Sequence, residues 1–171
     1  IFASAQSKAD FTSDIVSGCS PVIVQFFDQS TGQPDSWKWD LGNGTTSFLQ
    51  NPSVTYFNPG TYDVTLITTK SGVSDTIVKK AYITVYAKPT TIFGSNVISG
   101  CYPLTVQFTD SSETGSGSIS KWQWDFGDGY GSELQHPSHV YENTGDYNVT
   151  LYVRNSNGCA SSIVKSAYIK I

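Results

Sequence analysis

Trp122-Gln123-Trp124-Asp125-Phe126-Gly127-Asp128-Gly129 repeats, 85 residues on, the stretch Trp37-Lys38-Trp39-Asp40-Leu41-Gly42-Asn43-Gly44. A recurrence at fixed separation is the mark of a duplicated structural unit. The duplication extends in both directions. Upstream, Ser17-Gly18-Cys19-Ser20-Pro21 returns as Ser99-Gly100-Cys101-Tyr102-Pro103, 82 residues on. Downstream, Pro52, Tyr56, Gly60, Tyr62, Val64 and Leu66 return as Pro137, Tyr141, Gly145, Tyr147, Val149 and Leu151, again 85 apart. Ile77-Val78-Lys79 and Ala81-Tyr82-Ile83 return as Ile163-Val164-Lys165 and Ala167-Tyr168-Ile169, 86 apart. The separation changes only in polar or Gly/Ser-rich stretches, which places the insertions in loops. Two units therefore fill the 171 residues, with a leader at 1–8, a first domain at 9–87 and a second at 88–171.

Within each unit the apolar residues alternate with a period of two. Val22, Val24 and Phe26 interleave with Ile23, Gln25 and Phe27, and Tyr147, Val149, Leu151 and Val153 interleave with Asn148, Thr150, Tyr152 and Arg154. That is the pattern of half-buried strands. Breakers such as Asn58-Pro59-Gly60 and Asn155-Ser156-Asn157-Gly158 separate the runs. Some seven short strands in about 85 residues, without a helical stretch, predict an all-β fold. The architecture expected is two tandem immunoglobulin-like β-sandwiches arranged head to tail.

Composition narrows the function. Aromatic residues make up 13% and apolar residues 38%, enough for a packed core. Charged residues are 14%, against roughly 25% in an average soluble domain. A net charge of −4 with ten scattered Lys and Arg leaves no basic footprint for nucleic acid. No apolar run approaches the ~20 residues needed to span a bilayer as a helix. The chain has no Met, and Ala3-Ser4-Ala5 after an apolar stub reads as the end of a secretory signal, the alternative being that Ile1–Ala3 end a strand of a preceding domain. The strand-like pattern still running at Ile171 leads us to expect that the natural protein continues.

The motif residues resemble a known family. Trp124-Asp125-Phe126-Gly127-Asp128-Gly129, followed by Pro137, His139 and Tyr141 and then by Gly145-Asp146-Tyr147-Asn148-Val149-Thr150-Leu151, is similar to the PKD (polycystic kidney disease-type) domain. The first unit carries the same frame as Trp39-Asp40-Leu41-Gly42-Asn43-Gly44, with departures at Leu41 and Asn43, and with Thr55 read as standing in for His139. The resemblance implies a non-catalytic spacer and adhesion module at the amino-terminal end of a larger secreted or cell-surface protein, such as a rod in an adhesin of gliding bacteria. Its partners would be neighbouring domains of the same polypeptide, and surface glycans or envelope proteins. Two other readings stay open. One is a carbohydrate-binding accessory module of a secreted hydrolase. The other is a protein-interaction module of a bacterial envelope or secretion machine.

Candidate chemistry is sparse. His136 and His139 share one loop without a thiolate or third ligand, which makes a poor zinc site. Asp125 and Asp128 sit in a Gly-rich turn, where Asp side chains accept bonds from neighbouring amides. An Asx turn is the preferred reading over a calcium loop, which would need six to eight oxygen ligands. The resemblance nevertheless leaves calcium open, since some PKD domains resemble calcium-stabilised modules. No metal site and no catalytic residue is assigned. Trp39 and Trp124 should fill the two cores. Trp37 and Trp122, two residues earlier, lie on the same faces and either extend the core or offer a ring to a ligand at the rim.

The three cysteines give the sharpest expectation. Cys19 and Cys101 precede equivalent strands, while Cys159 follows the last hairpin turn, where the first unit has Val73. In a sandwich those two positions lie at opposite poles, some 20 Å or more apart for strands of six to eight residues. A disulfide needs Cα atoms within about 7 Å. Head-to-tail stacking would instead bring Cys19 towards Cys159. The expectation is therefore an interdomain Cys19–Cys159 bond with Cys101 left free for a further domain, the intradomain Cys101–Cys159 bond being the alternative.

Overall fold

The computed structural model of the chain describes residues 7–171. The leader stretch lies outside the described residues as far as Gln6. Ser7 is already buried, and Lys8 bridges to Thr31. The chain forms two compact units, residues 1–86 and 87–171. Ala87 is anchored in the second: its N–H donates to Ser116 Oγ, and its carbonyl accepts from Asn155 Nδ2. No helix occurs among the described residues.

The first unit contains β1 (Phe11–Ser13), β2 (Ser17–Cys19), β3 (Val22–Asp28), β4 (Ser36–Asp40), β5 (Thr46–Ser47), β6 (Ser53–Tyr56), β7 (Gly60–Lys70) and β8 (Val73–Tyr86). They form a three-stranded sheet, β1-β3-β6, and a five-stranded sheet, β2-β8-β7-β4-β5. The second unit contains β9 (Phe93–Ser95), β10 (Leu104–Asp110), β11 (Ile119–Asp125), β12 (Gly131–Ser132), β13 (Ser138–Tyr141), β14 (Asp146–Asn155) and β15 (Ala160–Lys170). Its sheets are β13-β10-β9 and β12-β11-β14-β15. The parallel β2–β8 pair of the first unit shrinks in the second to a single bridge between Ser99 and Lys170.

The alternation read from the sequence decides what each sheet buries. In β3, Val24 and Phe26 are fully buried while Ile23 is 65% exposed. Trp39, Tyr56, Val64 and Leu66 complete the first core, and Trp124, Tyr141, Val149 and Leu151 the second. Each fully buried aliphatic or aromatic side chain of this kind contributes roughly 1.5–3 kcal/mol. Burial pushes the phenols of Tyr56 and Tyr141 far above their ordinary value, because nothing in the core would solvate the phenolate. Each hydroxyl instead donates to a carbonyl, Tyr56 to Leu41 at 2.7 Å and Tyr141 to Phe126 at 3.0 Å.

The period of two breaks once in each long hairpin. The register of β7 against β8 shifts between Tyr62 and Val64, and that of β14 against β15 between Tyr147 and Val149. Opposite each shift an alanine takes a left-handed backbone, Ala81 at φ 46° and Ala167 at φ 45°. A polar side chain holds each bulge: Asp63 Oδ1 accepts from the Ala81 N–H, and Asn148 Oδ1 from the Ala167 N–H, both at 2.7 Å. Lys80 also bonds Asp63, and its ammonium and the Ala81 amide together hold that carboxyl below the ordinary range.

Candidate functional site

The duplicated motif lies at the end of β4 and of β11 and continues into the following turn. Strand parity sends Trp39 and Trp124 inward, where their indole N–H groups donate to the carbonyls of Leu49 and Leu134, both at 2.9 Å. Both residues are buried. Trp37 and Trp122 lie on the same faces, half-buried against the cores. Their N–H groups donate to Asp28 Oδ2 at 2.8 Å and to Asp110 Oδ2 at 2.7 Å.

Asp110 is 7% exposed. Burial would raise its carboxyl. Ser112, Trp122 and Gln135, donating to it, outweigh that effect and hold it below the ordinary carboxylate range. Its own N–H donates to His136 Nδ1 at 3.1 Å, the place taken in the first unit by Asn51 Oδ1, which accepts from Asp28 N at 2.8 Å.

After the tryptophans the chain turns sharply. Asp40 Oδ1 accepts from the Gly42 N–H at 3.0 Å, and Asp125 Oδ1 from the Gly127 N–H at 2.8 Å. Asn43 and Asp128 repeat the pattern one turn on, accepting from Thr45 N and Tyr130 N. These are the Asx turns expected for short polar side chains in such loops. Gly42 and Gly127 are required at their positions: φ is +80° and +85°, and an added Cβ would lie 2.3 Å from the carbonyl oxygens of Asp63 and Asn148. Gly44 and Gly129 share the left-handed backbone but face open space.

His139 is where the two units part. Its Nε2 pairs with Asp128 Oδ2 at 2.7 Å, and its ring stacks on Phe126 with centroids 4.2 Å apart. The strand register corrects the alignment made from sequence. His139 faces Val106 across β10–β13, and the equivalent of Val106 faces Val54 in β3–β6, so Val54 and not Thr55 replaces the histidine. Beside this pair lies a cleft of about 290 Å³, lined among others by Tyr130, Glu142 and Tyr147.

Among the described residues no three His, Cys, Asp or Glu side chains come together as a metal-binding group. Cys101 carries a free, exposed thiol. Cys19 and Cys159 are both disulfide-bonded. Sequence reasoning missed the Trp122–Asp110 and Trp37–Asp28 bonds. A signal was present, since Asp28 and Asp110 each close a strand whose repeat had already been aligned.

Comparison with known proteins places these features. A profile described as "PKD domain" matches residues 5–85 and again residues 87–171. Collagenase ColQ1 of Bacillus cereus strain Q1 is 39% identical over 66 residues, which is 38% of this chain and 7% of the collagenase. The chain thus spans less than a tenth of the curated relatives it matches. Among solved structures, the PKD1 domain of the Vibrio cholerae metalloprotease PrtV aligns with 49% of this chain and 99% of its own, at 27% identity and a TM-score of 0.43. The I67–I69 fragment of titin covers 98% of this chain and 66% of its own, at 13% identity and a TM-score of 0.50, a likeness of fold alone.

Proposed function

Because the chain belongs to the PKD domain family, filling its length with two copies, we propose that it serves as a non-catalytic extracellular spacer and adhesion segment of a larger secreted or surface protein. One observation carries this reading. The polar groups of the motif are consumed by the fold: both indole N–H groups of each unit, and the Asp125 and Asp128 carboxylates, are bonded within their own unit. Each of these groups thus has a structural role within its own unit. The disulfide-bonded state of Cys19 and Cys159 favours an oxidising compartment. The matches to segments of collagenases and of a metalloprotease are consistent with a module attached to a larger polypeptide.

The mechanical part of the proposal is a clasp, a Cys19–Cys159 bond tying the first domain to the second. It is supported by the free thiol of Cys101, which leaves two oxidised cysteines in the chain. Such a bond would restrict the motion that a short linker otherwise permits. The rival carbohydrate-binding role needs an indole face available at Trp37 or Trp122. Tryptophan fluorescence during titration with soluble polysaccharides tests the two. The spacer predicts no saturable quenching. Quenching that disappears in Trp122→Ala, with the fold retained, would replace the spacer by a glycan binder.

A further inference from the structure

The cleft beside the Asp128–His139 pair is lined in part by residues that have no counterpart in the first unit. The frame common to both units supplies Asn143 and Tyr147, whose counterparts Asn58 and Tyr62 make the same hydroxyl-to-carbonyl bond. The other main features are particular to the second unit. Asn43 stands in place of Asp128, Thr45 in place of Tyr130, Val54 in place of His139 and Phe57 in place of Glu142. Asp128 and His139 also hold the turn of the second unit, so stability accounts for those two but not for the exposed Tyr130 and Glu142.

The chemistry of the lining is one-sided. It holds two carboxylates, Asp128 and Glu142, and two phenol rings, Tyr130 and Tyr147, and neither Lys nor Arg. His139 faces the same space, with its Nε2 committed to Asp128. Glu142 is exposed and has no ion-pair partner among the described residues. Tyr130 is 70% exposed. An aromatic face beside an unpaired carboxylate attracts a cation through the ring quadrupole and through charge. A planar guanidinium suits both, since it stacks on a ring and bonds a carboxylate through its fork.

We propose that this cleft is a docking site for an arginine side chain presented by a partner protein. A neutral sugar could use the same rings and oxygens, but it would gain nothing from the negative charge. The proposal does not depend on the spacer reading or on the disulfide.

The test is a titration of the full ¹⁵N-labelled chain with N-acetyl-arginine amide, alongside the neutral isostere N-acetyl-citrulline amide and methyl glucoside. The expected result is a saturable shift confined to the amides of residues 128–130 and 139–143, produced by the arginine compound and weakened by salt. Tyr130→Ala and Glu142→Gln should each weaken binding about threefold to fivefold, the range for one exposed cation–π contact or ion pair. Both side chains are exposed, so the variants should keep their unfolding temperature. Absence of a localised shift, equal response to citrulline or glucoside, or unchanged affinity in Glu142→Gln would each overturn the proposal.

Discussion

The indole N–H of Trp122 reaches Oδ2 of Asp110 at 2.7 Å across the edge of the second core. The carboxylate also accepts from Gln135 Nε2 and from the Ser112 amide, so three donors converge on one buried anion. Folded Asp110 therefore binds its proton less tightly than the unfolded carboxyl does, and the difference is stability. That stability is complete above the ordinary carboxyl value of about 3.9 and drains away as pH falls towards the lower folded value. The second unit is expected to lose stability as pH falls through that window. Denaturant midpoints measured from pH 7 to pH 2 check this. Asp110→Asn should flatten the acid limb, and an equally steep limb in that variant would count against the assignment.

The motif glycines should separate into two classes. Gly127→Ala places a Cβ against the Asn148 carbonyl as well as straining a backbone at φ +85°, and it should cost several kcal/mol or abolish folding of the second unit. Gly129→Ala meets no atom within 4 Å, leaving only the left-handed strain of about 1–2 kcal/mol. Thermal unfolding of both variants decides it. Equal losses would mean that backbone strain, not the close approach, sets the requirement.

A buried hydroxyl marks a weak point of the first unit. Thr68 on β7 is fully buried and its Oγ1 has no hydrogen-bond partner. The second unit has Val153 at the equivalent place, also fully buried. Thr68→Val keeps the shape and removes the unsatisfied group, so the first unit should gain about 1 kcal/mol. Hydrogen exchange of the β4 and β7 amides reads the change locally. Slower exchange is expected. Faster exchange would show that the hydroxyl has a partner in solution.

His136 should be replaceable by the residue its counterpart uses. Asn51 accepts from Asp28 N in the first unit as His136 accepts from Asp110 N in the second. His136→Asn is expected to leave the denaturant midpoint unchanged, and His136→Ala to cost about 1 kcal/mol. Equal midpoints for the two variants would remove any structural role for the ring.

Most of the frame was legible because it rests on local patterning. The alternation in Val22–Phe27 and Tyr147–Val153 specifies which side chains enter the core, and the repeated Trp-x-Trp-Asp motif specifies two units. The bulges at Ala81 and Ala167 were not legible. Asp63 and Asn148 read as outward strand residues, and only the three-dimensional pairing shows that each holds a left-handed alanine. The same limit applies to His139. A one-residue slip in aligning Val54 moves a side chain to the opposite face of a strand; the offset of 85 shared by Pro52 and Tyr56 already points to Val54, and the register of β3 against β6 fixes it. The cleft is assembled from the turn after β11, from β13 with the loop that follows it, and from β14, whose proximity no spacing records.

The proposed clasp is tested most directly by non-reducing peptide mapping of the chain after alkylation of free thiols. Cys101, exposed and unbonded, should be recovered alkylated. The account predicts one crosslinked pair, the peptide containing Cys19 joined to the peptide containing Cys159, which separates on reduction. A Cys101–Cys159 crosslink, or alkylated Cys19, would contradict it.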